Sequence, residues 1–255
     1  MDSIIPPNHF RRYEFKYQLP RGTAEKIMPE LRDYMVWDPF SELCPTKDYL
    51  ISSLYLDNIG KACYFEKLAG LNYRKKLRLR FYEPTISDTT PIYLEIKRRL
   101  GMVILKDRLR LTADEARGLL KRRGYQALQQ RLKPEQRAVL EEFVWLKEYN
   151  SMQPELIVSY RRKALQGKVL KDFRVTFDSD ICAASARDLD STRTAMKPLY
   201  PGLIILEVKY NNIVPAWFYA IIQKYKLTAL PYSKYCYSVE RTQAVNRLET
   251  YSSRP

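Results

Sequence analysis

Residues 77–82 read Leu-Arg-Leu-Arg-Phe-Tyr. Side chains two apart in an extended chain share a face, so Arg78, Arg80 and Tyr82 stand on one side and Leu77, Leu79 and Phe81 on the other. The segment predicts a strand with one charged and one apolar face. The same division recurs in Glu95, Lys97 and Arg99 against Leu94 and Ile96, and in Lys106, Arg108 and Arg110 against Leu105, Leu109 and Leu111. Glu207 and Lys209 oppose Leu206, Val208 and Tyr210, Arg174 and Thr176 oppose Val175 and Phe177, and Glu14 and Lys16 oppose Phe15 and Tyr17.

Taken singly, each strand fits an ordinary half-solvated sheet, apolar toward a core and charged toward water. Together they fit it poorly. Solvent faces usually mix Thr, Ser, Lys and Glu. Here nearly every polar position is Arg or Lys, with glutamate recurring in an E-x-K arrangement at Glu14, Glu95 and Glu207. Like charges packed so densely repel one another unless an anion neutralises them. A barrel of about eight strands is just wide enough for one slender ligand, and helices outside it would take the apolar faces. Its lumen must stay wet or hold anions, because dry unpaired cations are costly. A linear phosphate chain meets that requirement. The expected fold class is therefore α+β: an eight-stranded antiparallel β-barrel with a basic lumen, flanked by helices.

The order of elements is consistent with this. Arg12 to Leu19 alternates like a strand, and Pro20 opens a helix with Ile27, Leu31 and Met35 at helical spacing. Tyr49 to Asp57 is a second strand, and an irregular stretch through Gly60 and Gly70 leads to a strand from Asn72 to Tyr82. Pro91 to Arg99 and Val103 to Leu111 form a hairpin around Gly101. Thr112 and Glu115 make a capping box, and a second helix runs from about Pro134 to Tyr149. Pro154 to Leu165, Lys171 to Phe177 and Leu203 to Tyr210 are further strands, with a weaker candidate near Ile181. A helix starts at Pro215, another is a candidate from Ser233 onward, and the tail after Thr250 is expected to fray. The total is about eight or nine strands and four helices. At 255 residues, one domain spanning 1–255 is expected.

Composition removes several functions. The 44 Lys and Arg against 29 Asp and Glu give a formal charge of +15, which calls for a polyanionic partner without choosing among nucleic acid, anionic lipid and polyphosphate. Cys44, Cys63, Cys182 and Cys236 form no C-x-x-C pair, which argues against a zinc site or a disulfide scaffold and for a reducing cytoplasm. No leader pattern is visible, and the longest apolar run, Ala216 to Ile222, is too short to span a bilayer. None of the eight glycines builds a P-loop or Rossmann cradle, and His9 is the single histidine. Chemistry here must use carboxylates, cations and hydroxyls. Arg161 alternates with Tyr160 and Arg162 and is expected to face outward, while Lys121 to Arg123 reads as a solvated helix end.

Several segments, in this order, resemble the VTC domain of polyphosphate polymerases, within the triphosphate tunnel metalloenzyme (CYTH-like) superfamily. They are RYEFKY at Arg12, SLYLDN at Ser53, RLRFY at Arg78, LEIK at Leu94, LKDRL at Leu105, SYRRKAL at Ser159, RVTFD at Arg174, LEVKY at Leu206 and PYSKY at Pro231. The resemblance implies an eight-stranded antiparallel tunnel and an ATP-polyphosphate phosphotransferase that uses Mn²⁺ or Mg²⁺. It implies that Lys16, Arg78, Arg80, Lys97, Lys106, Arg162 and Arg174 hold the reacting phosphates. Arg108 and Lys209 follow as secondary contacts, Tyr160, Ser233 and Lys234 as hydrogen-bonding contacts, and Glu207 as the metal ligand. Some relatives carry a lysine where this chain has Pro231, a departure at one end of the tunnel.

The partners implied are ATP and inorganic polyphosphate, with no nucleic acid. Export of the product through a bilayer would need a separate membrane protein. Two alternatives remain open at this point: a hydrolase of triphosphate or short polyphosphate on the same tunnel, and a non-catalytic module binding polyphosphate, inositol phosphates or nucleic acid.

Overall fold

The computed structural model describes residues 13–101, 103–191, 196–211 and 213–242. Arg12, His9 and the tail after Thr250 lie outside the described residues.

The chain opens with strand β1 (Tyr13–Pro20) and helix α1 (Arg21–Arg32). Met35 does not extend α1 as its spacing suggested; it starts the short strand β2 (Met35–Trp37) and is fully buried there. Helix α2 (Pro39–Leu43) is one turn long, capped by Asp38, whose side chain accepts from Ser41 N at 2.8 Å, with Pro39 in the first helical position. Strand β3 (Tyr49–Asp57) is followed by α3 (Ala62–Leu68) and β4 (Tyr73–Phe81).

The expected hairpin is β5 (Pro91–Leu100) and β6 (Val103–Thr112), turning at Gly101, whose φ of +57° suits a residue without Cβ. Thr112 and Glu115 close their capping box reciprocally, at 3.2 and 2.8 Å, and start α4 (Ala113–Leu120). Helices α5 (Tyr125–Arg131) and α6 (Pro134–Tyr149) follow. Lys121 to Arg123 is exposed just past α4, as expected, with Arg122 paired to Glu148.

Strand β7 (Gln153–Gly167) leads to β8 (Arg174–Ser185), which starts later than the Lys171 expected and absorbs the separate candidate near Ile181. Strands β9 (Lys197–Pro198) and β10 (Leu203–Tyr210), then helices α7 (Ala216–Lys224) and α8 (Lys234–Arg241), complete the described chain. There are eight helices among the described residues instead of four. None of them is long and apolar enough to cross a membrane.

Eight strands join in the antiparallel order β1-β10-β8-β7-β3-β4-β5-β6, with β2 added on β7 and β9 on β8, ten strands in one sheet. The apolar faces point outward to the helices, as anticipated. Leu77, Leu79, Leu94, Ile96 and Leu109 are buried with Leu119, Leu140 and Phe143 from α4 and α6. Val175, Phe177, Leu206 and Val208 are buried with Ile27 and Leu31 of α1 and Phe218 and Ile221 of α7. Each fully buried side chain of this size contributes about 1.5–3 kcal/mol through apolar transfer.

The closed barrel is not formed: the hydrogen-bonded path ends at β1 and at β6. The reason lies in what occupies the outer edge of β1. Leu230 N donates to Lys16 O at 2.8 Å, and Tyr17 bridges to Ala229, so the segment between α7 and α8 takes the place that a closing ladder between β6 and β1 would need. Contact from β5 to β1 is by side chain, through Lys97 Nζ and Glu14 Oε1 at 3.4 Å. The sheet is a curled trough in which the charged faces converge.

Candidate functional site

The trough holds a cavity of about 770 Å³ lined from all eight strands of the principal path, from α2 and α3, and from the segment leading into α8. Among the described residues, fourteen lysines and arginines face five acidic residues on its wall. The residues singled out from sequence all lie on it: Lys16, Arg78, Arg80, Lys97, Lys106, Arg108, Tyr160, Arg162, Arg174, Glu207, Lys209, Ser233 and Lys234, with Pro231 among them. Arg110 shares the alternation but lies outside the cavity and is exposed. Arg161 faces outward to Asp48 at 2.6 Å.

Buried carboxylates under the wall hold these cations in place. Glu95 is fully buried and accepts from Arg78 Nε at 2.7 Å and Arg108 Nε at 2.8 Å, with Lys106 Nζ at 2.7 Å. Asp178, also fully buried, takes a bidentate contact from Arg162 at 2.6 and 2.8 Å and a further bond from Lys234. Glu14 pairs with Lys16 at 2.8 Å, Glu207 pairs with Lys209, and Lys16 Nζ also stands 3.9 Å from Glu207. Arg174 pairs with Asp38 at 3.0 Å.

Each acid fixes a rotamer while the site keeps a net excess of positive charge. Burial alone would raise these carboxyls, but their neighbours prevail. Arg78, Arg80 and Lys106 hold Glu95 far below the usual carboxylate range, Arg162 and Lys234 lower Asp178, and Lys209 and Lys16 lower Glu207.

Several wall residues were missed from the sequence. Arg74 and Lys76 continue the Arg78 and Arg80 alternation, and Asp178, buried beneath the wall, continues that of Arg174 and Thr176, so a longer reading of the same pattern would have found them. Thr176 Oγ1 and the Tyr232 hydroxyl are buried on the wall without a hydrogen-bond partner among the described residues, and are available to an oxygen-rich ligand. Helix α8 presents its N-terminus here. Ser233 caps it, Lys76 Nζ lies 3.5 Å from Ser233 Oγ, and Tyr235 anchors it by donating to the buried Asp57. Free N–H groups at a helix N-terminus favour an anion.

A divalent cation can be tested against this donor set. Glu14 and Glu207 approach one another around Lys16, and among the described residues no group of three or more acidic, His or Cys side chains forms a metal cage. A carboxylate pair fits a hard ion that takes its remaining ligands from phosphate oxygens and water, the usual habit of Mg²⁺.

Crowding of cations has a measurable result. Burial pushes Lys97 down to about 8 and Lys106 down to about 7, with Lys16 and Lys209 acting on the first and Arg78 and Arg80 on the second. A bound polyanion favours the protonated amines and raises both values, so binding takes up protons near pH 8 and weakens as pH rises through 7 to 8. Calorimetric titration of polyphosphate in buffers of differing ionisation enthalpy should show this uptake. Proton release, or no buffer dependence, would contradict the arrangement.

The sequence profile of the VTC domain matches residues 11–243. No curated protein matches the chain significantly. Among solved structures, the "putative adenylate cyclase" from Bacillus halodurans is similar, with 12% identity, coverage of 90% of this chain and 97% of that one, and a TM-score of 0.50. The PH1819 protein from Pyrococcus horikoshii OT3 follows at 9% identity, 90% and 99% coverage and a TM-score of 0.44. The Mimivirus capping enzyme triphosphatase follows at 10%, 84% and 88%, and 0.34.

Proposed function

The chain belongs to the VTC domain family, and on that premise we propose that it is a polyphosphate polymerase, transferring the γ-phosphate of ATP to a growing inorganic polyphosphate chain. The observation that carries this reading is the excess of cations along the trough. The row Arg74, Lys76, Arg78 and Arg80 on β4 spans ~20 Å at the rise of a strand. Fourteen cations, set against the five acids of the wall and the buried Glu95 and Asp178 beneath it, leave an excess of seven positive charges, more than one nucleoside triphosphate neutralises. A longer phosphate chain supplies the missing negative charge.

Phosphoryl transfer asks for in-line positioning and for neutralisation of charge spread over the phosphate oxygens. Arg78, Arg80 and Arg162 offer permanently charged, forked contacts for this. A terminal oxygen of the polyphosphate chain attacks the γ-phosphorus, the bond from that phosphorus to the β–γ bridging oxygen breaks, and ADP leaves with the electron pair. The ionised chain end needs no side-chain base, and the described residues of the wall include no histidine. Glu207, with Glu14, would hold Mn²⁺ or Mg²⁺, which supplies charge neutralisation and a template for the reacting phosphates.

Incubation with ATP and Mn²⁺, followed by gel analysis of long-chain product and assay of free phosphate, tests the reading. Long chains that vanish when the divalent ion is chelated are expected. Free phosphate without chains would replace the polymerase with a hydrolase, and neither product would leave a binding module.

A further inference from the structure

Followed along β4, the two ends of the trough differ. The end at Arg74 is basic, whereas the end beyond Phe81 is aromatic: Phe40, Tyr49 and Tyr82 all line the cavity there. The rings of Phe40 and Tyr82 are parallel to within 4° with centroids 6.5 Å apart, and Tyr49 lies 5.9 and 6.3 Å from them. Phe40 is 65% exposed, so this ring offers a face that the protein leaves open.

Phe40 is nonetheless held firmly. The Asp38 cap and a bond from Ala164 N to Ser41 Oγ at 2.9 Å fix α2 on β7. The cluster also touches the cations directly. Arg108 donates to the Tyr82 hydroxyl at 3.1 Å, and Asp38, two residues before Phe40, pairs with Arg174.

We propose that Phe40 and Tyr82, backed by Tyr49, form a stacking platform for the base of the nucleoside triphosphate, with the triphosphate running inward past Arg108 and Arg174 toward Arg78 and Arg80. This rests on the reading of the trough as a nucleotide-using site and sets the direction in which the nucleotide lies. Every base has a π-face, so stacking separates nucleotides from inorganic phosphate chains without choosing among bases. The platform therefore selects for a nucleoside on the triphosphate and accepts ATP and GTP alike.

The test is equilibrium titration, without divalent ion, of ATP, GTP and inorganic tripolyphosphate into the wild-type chain and Phe40→Ala. The wild type should bind ATP and GTP within a few-fold of each other. Phe40→Ala should weaken both by about tenfold, the lower part of the range for one base–aromatic stack, and leave tripolyphosphate unchanged. Phe40→Trp should retain nucleotide binding and show indole quenching with ATP but not with tripolyphosphate. Equal losses for all three ligands, or unchanged ATP affinity in Phe40→Ala, would overturn the platform while leaving the trough reading intact. A wild-type chain that binds none of the three would overturn both.

Discussion

Glu95→Ala is expected to cost about 3 kcal/mol of stability and to lower the melting temperature by roughly 6–12 °C. Glu95 is fully buried beneath the trough and joins Arg78, Lys106 and Arg108 through contacts of 2.6–2.7 Å. Breaking a buried pair by removing one partner costs about 3–5 kcal/mol. The lower end applies because the side chains of Lys106 and Arg108 keep 37% and 35% exposure and recover part of their hydration. Inorganic polyphosphate should restore most of the loss, since it supplies negative charge to the same three cations. Thermal melts with and without polyphosphate decide the point, and a variant as stable as the parent would show that the cations need no internal anion.

Arg80→Ala should behave in the opposite way, losing turnover by about 10²–10³-fold while melting close to the parent. Among the described residues Arg80 makes one hydrogen bond, from Nε to Ser53 Oγ at 3.2 Å, and its ion pair with Glu95 is long at 3.9 Å. Its guanidinium is therefore weakly engaged in holding the fold and lines the cavity with donors to spare. Removing it also relieves repulsion on Lys106, which offsets the lost contact. Parallel measurement of polyphosphate synthesis and thermal unfolding separates the two effects. Full activity would remove Arg80 from the machinery, and a collapsed melt would make it structural.

The strands were legible where burial on one face and charge on the other wrote period two into the chain. The bounds of β3 and β10 came out as read, and the apolar faces of β4 and β5, with Leu109 and Leu111 of β6, lie against helices as the alternation required, whereas Leu105 lines the cavity. Closure was not legible. It depends on how two strands far apart in sequence meet, and nothing in residues 13–20 or 103–112 announces that Ala229 and Leu230 occupy the edge of β1.

The missed helices were short. Helix α2 did carry a signal, Asp38 followed by Pro39, but α3 and α5 follow Lys61 and Gly124 in left-handed conformation without a side-chain cap. On the cavity wall, residue type and spacing brought out strand cations such as Arg78, Lys97, Lys106 and Arg174, whereas Arg162 and Lys234 followed only from the resemblance. The anchoring role of Asp178 escaped because a carboxylate on a charged face looks the same whether it meets ligand, metal or a buried guanidinium.

An unpaired final strand has a consequence for assembly. Among the described residues β6 ends the hydrogen-bonded path, and an edge strand invites another polypeptide to dock along it as an extra strand. Lys106, Arg108 and Arg110 outnumber Asp107 on this strand, so two copies brought margin to margin meet a net repulsion. Protection against fibre-like self-association is thus supplied partly by residues of the cavity wall itself, and variants that strip those charges should be checked for aggregation before a loss of activity is attributed to chemistry.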